Sequence, residues 1–457
     1  MISLPPAFVR RVTGLLKDEA GAFFEALGQP APVSARLNPR KPVPREALPF
    51  LDPPDGRVPW CEQGFYARER PVFTLDPALH AGGYYVQEAS SMFVGQALRR
   101  FLDGRPARVL DLCAAPGGKS TLGLGLLPGG SLWVANEVIR PRAAVLKENL
   151  VKWGSDRAVV TCGDPARLAS LAGAFDVVLV DAPCSGEGMF RKDARAAREW
   201  GEALARACEE RQKRLLPAAW ECLAPGGYLV YSTCTYNPGE NERVLEWAAR
   251  QFHADPAGIP HDFAGITPGD SPLPCYRFYP HKTRGEGFFI GALRKRDGLP
   301  FSLPAREARV PRVALPPAAR ALVGEAGGYT PYLAGETLGI IPSPHAAFVQ
   351  HLGSRVGLLY RGVEIGETAG GKFRPSHALA LWDALPREGT RAREVDLPTA
   401  LRYLRKEEIR FDAPPGEWVL VTYRSLALGW VKAVGNRLNN YYPKEWRVRM
   451  DDAPRVV

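Results

Sequence analysis

Two short segments of this chain each set a cysteine where a nucleic-acid base could be attacked. They are Asp181-Ala182-Pro183-Cys184-Ser185-Gly186 and Ser232-Thr233-Cys234-Thr235-Tyr236. A thiolate adds readily to an electron-poor carbon, so two thiols at one site point to covalent chemistry. A third segment, Asp111-Leu112-Cys113-Ala114-Ala115-Pro116-Gly117-Gly118-Lys119-Ser120, is built largely of small residues. Such residues let backbone N–H groups approach a ligand at the positive end of a helix. Two better-known loops do not fit. There is no Gly-x-Gly-x-x-Gly, and Cys113 stands where a P-loop has its first glycine.

Elements of a particular kind must bring these segments together. The apolar runs Phe175–Val180 and Tyr228–Tyr231, just before the two cysteine segments, read as buried parallel strands. Further strands are expected at Arg108–Leu112, Ser131–Asn136 and Ala158–Cys162, with helices between them. Strand alternating with helix predicts an α/β fold, a doubly wound parallel sheet whose ligands bind at the strands' carboxyl ends. Acidic residues fall at those ends. Glu137 follows the second strand, where a carboxylate accepts from ribose hydroxyls, and Asp164 follows the third, where one accepts from an adenine amino group. Asp181 ends the fourth. The ligand so described has an adenosine and a group that needs no phosphate cradle, as S-adenosylmethionine does. Cys113, Ala114, Ala115, Pro116, Gly117, Gly118, Lys119, Glu137, Asp164 and Asp181 are the expected cofactor residues, with Cys113 contributing backbone.

Residues 81–296 form the expected catalytic unit. Within it a helix is predicted from about Asp193 to Leu223, stopped by Ala224-Pro225-Gly226-Gly227. Tyr276–Tyr279 and Phe288–Leu293 read as an antiparallel hairpin closing the sheet edge. Residues 1–80 read as an α+β extension. It opens on an amphipathic pattern (Phe8, Val9, Val12, Leu15, Leu16) and leads to a strand near Ser34–Asn38. Residues 297–317 are a proline-rich linker. Residues 318–382 are a small α+β unit with strands at Val356–Tyr360 and Gly362–Gly366. Residues 383–457 are a tail module of a helix and short strands.

The 457 residues carry 59 Lys and Arg against 49 Asp and Glu, a net charge of +10. That balance favours a polyanionic partner. In the tail, Tyr423, Arg424, Trp430, Lys432, Arg437, Tyr441, Tyr442, Lys444, Trp446, Arg447 and Arg449 interleave aromatic and basic side chains. The mixture suits phosphate contacts and stacking on unpaired bases; a small barrel with an aromatic core and a basic exterior has the same composition. Arg191, Lys192, Arg195 and Arg198 could line an RNA path or form a solvated helix face. No apolar run approaches the ~20 residues of a membrane span, and no signal peptide is evident. The eight cysteines include no Cys-x-x-Cys, and no histidine has a partner at metal-ligand spacing. A cytoplasmic monomer with no metal and no membrane partner is expected, with Cys61, Cys162, Cys208, Cys222 and Cys275 structural.

Asp111–Ser120, Asp181–Gly186 and Thr233-Cys234 closely resemble motifs of the Nop/Sun family of S-adenosylmethionine-dependent RNA cytosine-5 methyltransferases. Tyr85-Val86-Gln87-Glu88-Ala89-Ser90-Ser91 and Arg36-Leu37-Asn38 look like that family's entry segments, and the likeness covers roughly residues 30–295. Gly429-Trp430-Val431-Lys432 and Asn439–Arg447 resemble the PUA-like module of the family's bacterial RsmF-type branch, which acts on 16S ribosomal RNA near the decoding region. The resemblance implies a Rossmann-like methyltransferase core with RNA-binding extensions at both ends. It implies methylation of cytosine C5 in small-subunit ribosomal RNA. It also implies that Cys234 attacks and Cys184 aids release; the residues alone leave that choice open. Gly285-Glu286-Gly287-Phe288-Phe289 only approximates a family segment and is given no catalytic role.

C5 of cytosine is a poor nucleophile until a thiolate adds to C6 and makes C5 an enamine carbon. Lys119, if it points into the cleft, favours the thiolate. Asp181 could hold the base's N3 and amino edge or relay a proton. A non-catalytic RNA-binding assembly factor would keep the fold and lose Cys234 or the loop, and both are intact. An amino-methylating enzyme would carry Asn/Asp-Pro-Pro-aromatic where Asp181-Ala182-Pro183-Cys184 stands. Transfer RNA or 23S RNA remains the alternative substrate.

Overall fold

The computed structural model describes residues 4–44, 48–51, 56–304, 309–324 and 327–450. At its centre are five parallel strands in the order Leu223–Thr233, Phe175–Asp181, Arg108–Asp111, Leu132–Asn136, Ala158–Cys162. Val109, Leu110, Trp133, Val134, Val159, Val178 and Leu179 are fully buried, because helices cover both faces. The chain winds outward from Arg108–Asp111 to Ala158–Cys162, then returns to the other side of Arg108–Asp111 with Phe175–Asp181. That reversal opens a crevice at the carboxyl ends of the strands. It is where Asp111, Asp181 and Thr233 end their strands. The expected doubly wound α/β core is present.

The expected hairpin is also there. Cys275–Phe278 pairs antiparallel with Phe288–Arg294, which pairs antiparallel with Leu223–Thr233. Other expectations need correction. The long helix is two, Ala194–Glu199 and Glu202–Cys222. Between them Trp200 is buried, with its indole N–H donating to Glu187, and Gly201 is extended. Ala224–Gly227 is not a free turn but a bulge inside a strand. Leu223 pairs with Phe175, and pairing resumes with Tyr228 opposite Val177. The strand expected in the 318–382 unit, observed as Gly357–Arg361, pairs antiparallel with Ala158–Cys162 and extends the central sheet.

Among the described residues, three smaller sheets surround this core. Ser34–Leu37 lies between Gly64–Tyr66 and Tyr84–Val86. Tyr329–Ala334, Thr337–Pro342, Val363–Ala369 and Lys372–Pro375 form a second sheet; Ala392–Glu394, Trp418–Tyr423, Leu426–Val434 and Arg437–Asn440 form a third. The tail is not freestanding. Tyr403, Val421, Val431 and Tyr442 share one apolar core with Val43, Phe50 and Tyr84 from the beginning of the chain. Trp430 donates its indole N–H to Ser376 O at 2.9 Å. Among the described residues no helix is long and apolar enough to cross a membrane.

The helix Gly118–Leu126 begins at the small-residue loop and must lie flat on the sheet. Gly123 permits this: a β-carbon there would sit 2.1 Å from the Trp133 ring. Gly123→Ala should therefore destabilise the protein by about 1–3 kcal/mol through overpacking, read as a lowered Tm.

Candidate functional site

A cleft of about 1060 Å³, counting the solvent at its mouth, opens at the carboxyl end of the sheet. Asp111, Cys113–Pro116, Gly118, Lys119, Asp181 and Cys234 all line it. Lys119 comes from the first turn of its helix and Asp181 from the end of its strand. Their Nζ–Oδ2 distance is 2.7 Å, and Ser232 donates to Asp181 Oδ1 at 2.9 Å. Burial works against the ammonium, but Asp181, with Cys234 and Asp111 beyond it, holds the Lys119 pKa above the ordinary lysine value. Lys119 also sits 5.4 Å above the Phe288 ring.

The two cysteines, fifty residues apart in the chain, meet with their Sγ atoms 3.2 Å apart, and both are free thiols. Of the two, Cys234 lines the cleft and Cys184 does not, although both are half-buried. The hydrogen bond with Cys234, then burial, raise the Cys184 pKa well above the ordinary thiol value. Cys184 therefore keeps its proton and can donate a hydrogen bond to the neighbouring sulfur. Both loops are tightly held. Glu240 accepts from Ser185 N at 2.7 Å and Ser185 Oγ at 2.6 Å, while Gln212 donates to Pro183 O at 3.0 Å. Gly188 N donates to Cys234 O at 2.9 Å.

The loop before the Gly118 helix needs glycine at residue 117, whose φ is +113°. Arg36 fixes the helix from outside. This buried guanidinium donates to Thr121 Oγ1 at 2.6 Å, Gln87 Oε1 at 2.8 Å and Gly118 O at 3.3 Å. Burial lowers its pKa to about 10. The segments around Arg36 and Gln87 thus brace the loop, and Tyr85, Gln87 and Glu88 line the cleft. Asp111 is fully buried. Ser120 donates to its Oδ2 at 2.6 Å, and its Oδ1 has no hydrogen-bond partner among the described residues. Burial pushes its pKa up to about 7. A buried acceptor facing a cleft is a place for a ligand's donor or positive charge.

Two expected cofactor residues stand apart from this group. Glu137 is buried, accepting from Ile139 N at 2.9 Å with Arg142 3.4 Å away, and does not line the cleft. Asp164 is exposed and caps the helix Pro165–Leu168, accepting from Ala166 N at 2.9 Å. The basic run after Cys184 divides. Arg191 is nearly buried and bridges to Glu286 at 3.0 Å, so it is structural; Lys192 lines the cleft. In the tail, Tyr423, Trp430 and Tyr442 are core residues, whereas Arg424, Arg437, Lys444, Arg447 and Arg449 are among the exposed positive charges.

The motifs do not single out Glu286 and Phe288, yet both line the cleft. The signal was present in the imperfect Gly285–Phe289 segment. Its place became visible only once the hairpin strand paired beside Leu223–Thr233, with Phe289 opposite Thr233.

Comparison with known proteins gives three family matches along the chain. The 16S rRNA methyltransferase RsmB/F model matches residues 102–294, the N-terminal domain of 16S rRNA methyltransferase RsmF residues 4–89, and the methyltransferase RsmF PUA domain residues 390–448. The chain is 33% identical to ribosomal RNA small subunit methyltransferase F of Erwinia tasmaniensis, over 97% of each chain. It is 32% identical to the protein of that name from Klebsiella pneumoniae, over 97% of this chain and 96% of that one. A methyltransferase homolog from Pyrococcus horikoshii superposes with a TM-score of 0.54 at 29% identity, covering 64% of this chain and 96% of its own. NSun6 from the same organism, at 21% identity and a TM-score of 0.55, covers 65% of this chain and all of its own, and shows the fold.

Proposed function

The chain belongs to the ribosomal RNA small subunit methyltransferase F family, and from that premise we propose that it methylates C5 of cytosine in 16S ribosomal RNA through a cysteine–C6 adduct. The observation that carries the covalent reading is the thiol pair, with Cys234 open to a cleft that also holds Lys119 and Asp181.

S-Adenosylmethionine, when bound, supplies a methyl on a positively charged sulfur. This chain's residues fit it. Asp111 offers an unpaired buried carboxylate oxygen, and Cys113–Gly118 offer backbone at a helix start. We assign Glu137 and Asp164 to the adenosine end, as strand-end carboxylates. For Asp164 the cap is a competing role, and Asp164→Asn separates the two. Asn keeps the capping oxygen but loses the charge and the second acceptor. Its Tm should hold while cofactor binding weakens by about 1–3 kcal/mol. Calorimetry giving wild-type affinity would remove Asp164 from the cofactor residues.

At the base, the Cys234 thiolate forms a bond to C6, the C5=C6 π pair moves toward C5, and C5 then takes the methyl. Asp181, its orientation fixed by Lys119 and Ser232, accepts from the amino group of the cytosine, and from N3 once N3 has taken a proton. The C5 proton next passes to water in the cleft, its C–H electron pair re-forms the C5=C6 bond, and the C6–S bond breaks with Cys234 leaving as the thiolate that can attack again. The Cys184 thiol, 3.2 Å away, donates a hydrogen bond to the departing sulfur and so favours release.

The reaction is placed in the cytoplasm, on small-subunit RNA, with one chain per site. The exposed tail charges are assigned to phosphate contact. Deleting the tail would strip the core it shares with Phe50 and Tyr84, so charge reversal is the cleaner test. Lys444→Glu, Arg447→Glu and Arg449→Glu together should weaken RNA binding and flatten its salt dependence, each lost phosphate contact lowering the log–log slope by about 0.7–0.9. An unchanged slope would give this surface another role. The overall reading is tested by mapping 5-methylcytosine across ribosomal and transfer RNA in cells lacking the protein. Loss at 16S positions, restored by the wild-type chain, is expected; loss confined to transfer RNA or 23S RNA would overturn the substrate.

A further inference from the structure

The first helix, Pro6–Leu16, packs Phe8 and Val12 against Phe190, Trp200 and Tyr236, directly behind the two cysteine loops. From it Arg11 reaches Glu187, at 2.6 Å. Glu187 is fully buried, and its carboxylate joins both loops. Oε1 accepts from Arg11 and from Trp200 Nε1 at 3.0 Å, and Oε2 accepts from Tyr236 N at 3.2 Å, two residues beyond Cys234. Glu187 itself lies three residues beyond Cys184 on the same loop; the Ser185 hydroxyl, 3.5 Å from Oε1, gives its proton to Glu240. The residue after Glu187, Gly188, donates its N–H to the carbonyl of Cys234. A carboxylate on the Cys184 loop therefore holds the backbone just beyond Cys234, and its countercharge comes from a helix 176 residues earlier in the chain.

We propose that Arg11 is a positioning residue for the thiol pair, acting through Glu187 to hold Cys184 and Cys234 in register. The proposal rests on the methyltransferase reading for its effect on turnover, not for its effect on thiol geometry. A buried carboxylate needs a countercharge. Without Arg11 it pulls toward water, which loosens its grip on Tyr236 N. The Lys119–Asp181 pair and the Asp111 loop lie on other elements, so cofactor binding stays intact. The helix thus completes the catalytic centre although none of its residues lines the cleft.

The test uses the full chain with Arg11→Met, Arg11→Lys and the double variant Arg11→Met/Glu187→Gln. One readout needs neither RNA nor methyl donor: the rate at which diamide joins Cys184 and Cys234 as a disulfide, followed by peptide mass spectrometry. Two thiols are oxidised, and the diazene is reduced to the hydrazine. Arg11→Met should cross-link more slowly and lose turnover on the order of 10²-fold, as a misplacement of about 1 Å does. Its cofactor affinity and RNA KM should match wild type. Arg11→Lys should recover most of both losses. The double variant leaves no unpaired buried charge, so it should fold and regain part of the cross-linking rate, which keeps the test valid if Arg11→Met alone is unstable. Wild-type cross-linking and turnover in Arg11→Met would overturn the proposal, as would a parallel loss of cofactor affinity. Slowed cross-linking in a chain without methyltransferase activity would leave the positioning role standing and refute the function.

Discussion

Cys234→Ala should abolish methyl transfer and leave no protein–RNA adduct, whereas Cys184→Ala should accumulate adduct that persists on denaturing gels. The asymmetry follows from the site's shape and proton distribution. Cys234 lines the cleft; Cys184, with its sulfur 3.2 Å away, does not, and its pKa is raised by that contact and by burial. Removing the nucleophile should lower turnover on the order of 10⁴-fold or more. Removing the second thiol leaves attack and methyl transfer possible but slows the release of Cys234. Adduct also requires an unpaired or flipped cytosine, at a cost of a few kcal/mol, so the target lies in a loop or an opened helix. Adduct from the Cys234 variant and not from the Cys184 variant would reverse the roles. Full activity in both would exclude thiol addition.

Asp181→Asn should reduce turnover by about 10²–10⁴-fold, the range for a group that positions or moves a proton in the transition state. It should also change Lys119. In the wild type, burial depresses the ammonium and Asp181 more than compensates, leaving a raised pKa and a charge that persists through neutral pH. With asparagine there, burial prevails, the pKa falls, and the charge is lost at lower pH than in the wild type. An NMR titration of the Lys119 side chain reads this directly. A titration unchanged from wild type, or turnover within about threefold of it, would show that the pair does not govern the site.

The central sheet was legible because a strand buried on both faces writes an uninterrupted apolar run, and because the motifs sit where those runs stop. Cys113–Pro116, Gly118, Lys119, Asp181 and Cys234 were found that way, and the structure gathers them into one cleft. What escaped depends on contacts distant in sequence. Gly357–Arg361 reads as a strand from its own residues, but nothing in them says that it will pair with Ala158–Cys162. Trp430 and Tyr442 carry the same letters whether they stack on RNA or fill a core, and the shared core with Phe50 and Tyr84 decides for the core. Glu187 reads as a loop acid until Arg11 is seen beside it. Asp164 shows the limit of the strand-end argument: one position suits both a cofactor carboxylate and a helix cap, and the structure displays the cap.

The most direct measurement is a trap. Small-subunit RNA containing 5-fluorocytidine, incubated with the full chain and S-adenosylmethionine, offers a cytosine whose C5 carries fluorine where a proton must depart. Addition and methyl transfer can then occur, but elimination cannot. Digestion and peptide mass spectrometry should find the Cys234 peptide carrying a methylated fluorocytidine nucleotide and the Cys184 peptide unmodified. No cross-link, with methyl groups recovered in a nucleoside other than cytidine, would contradict covalent cytosine-5 methylation at this site.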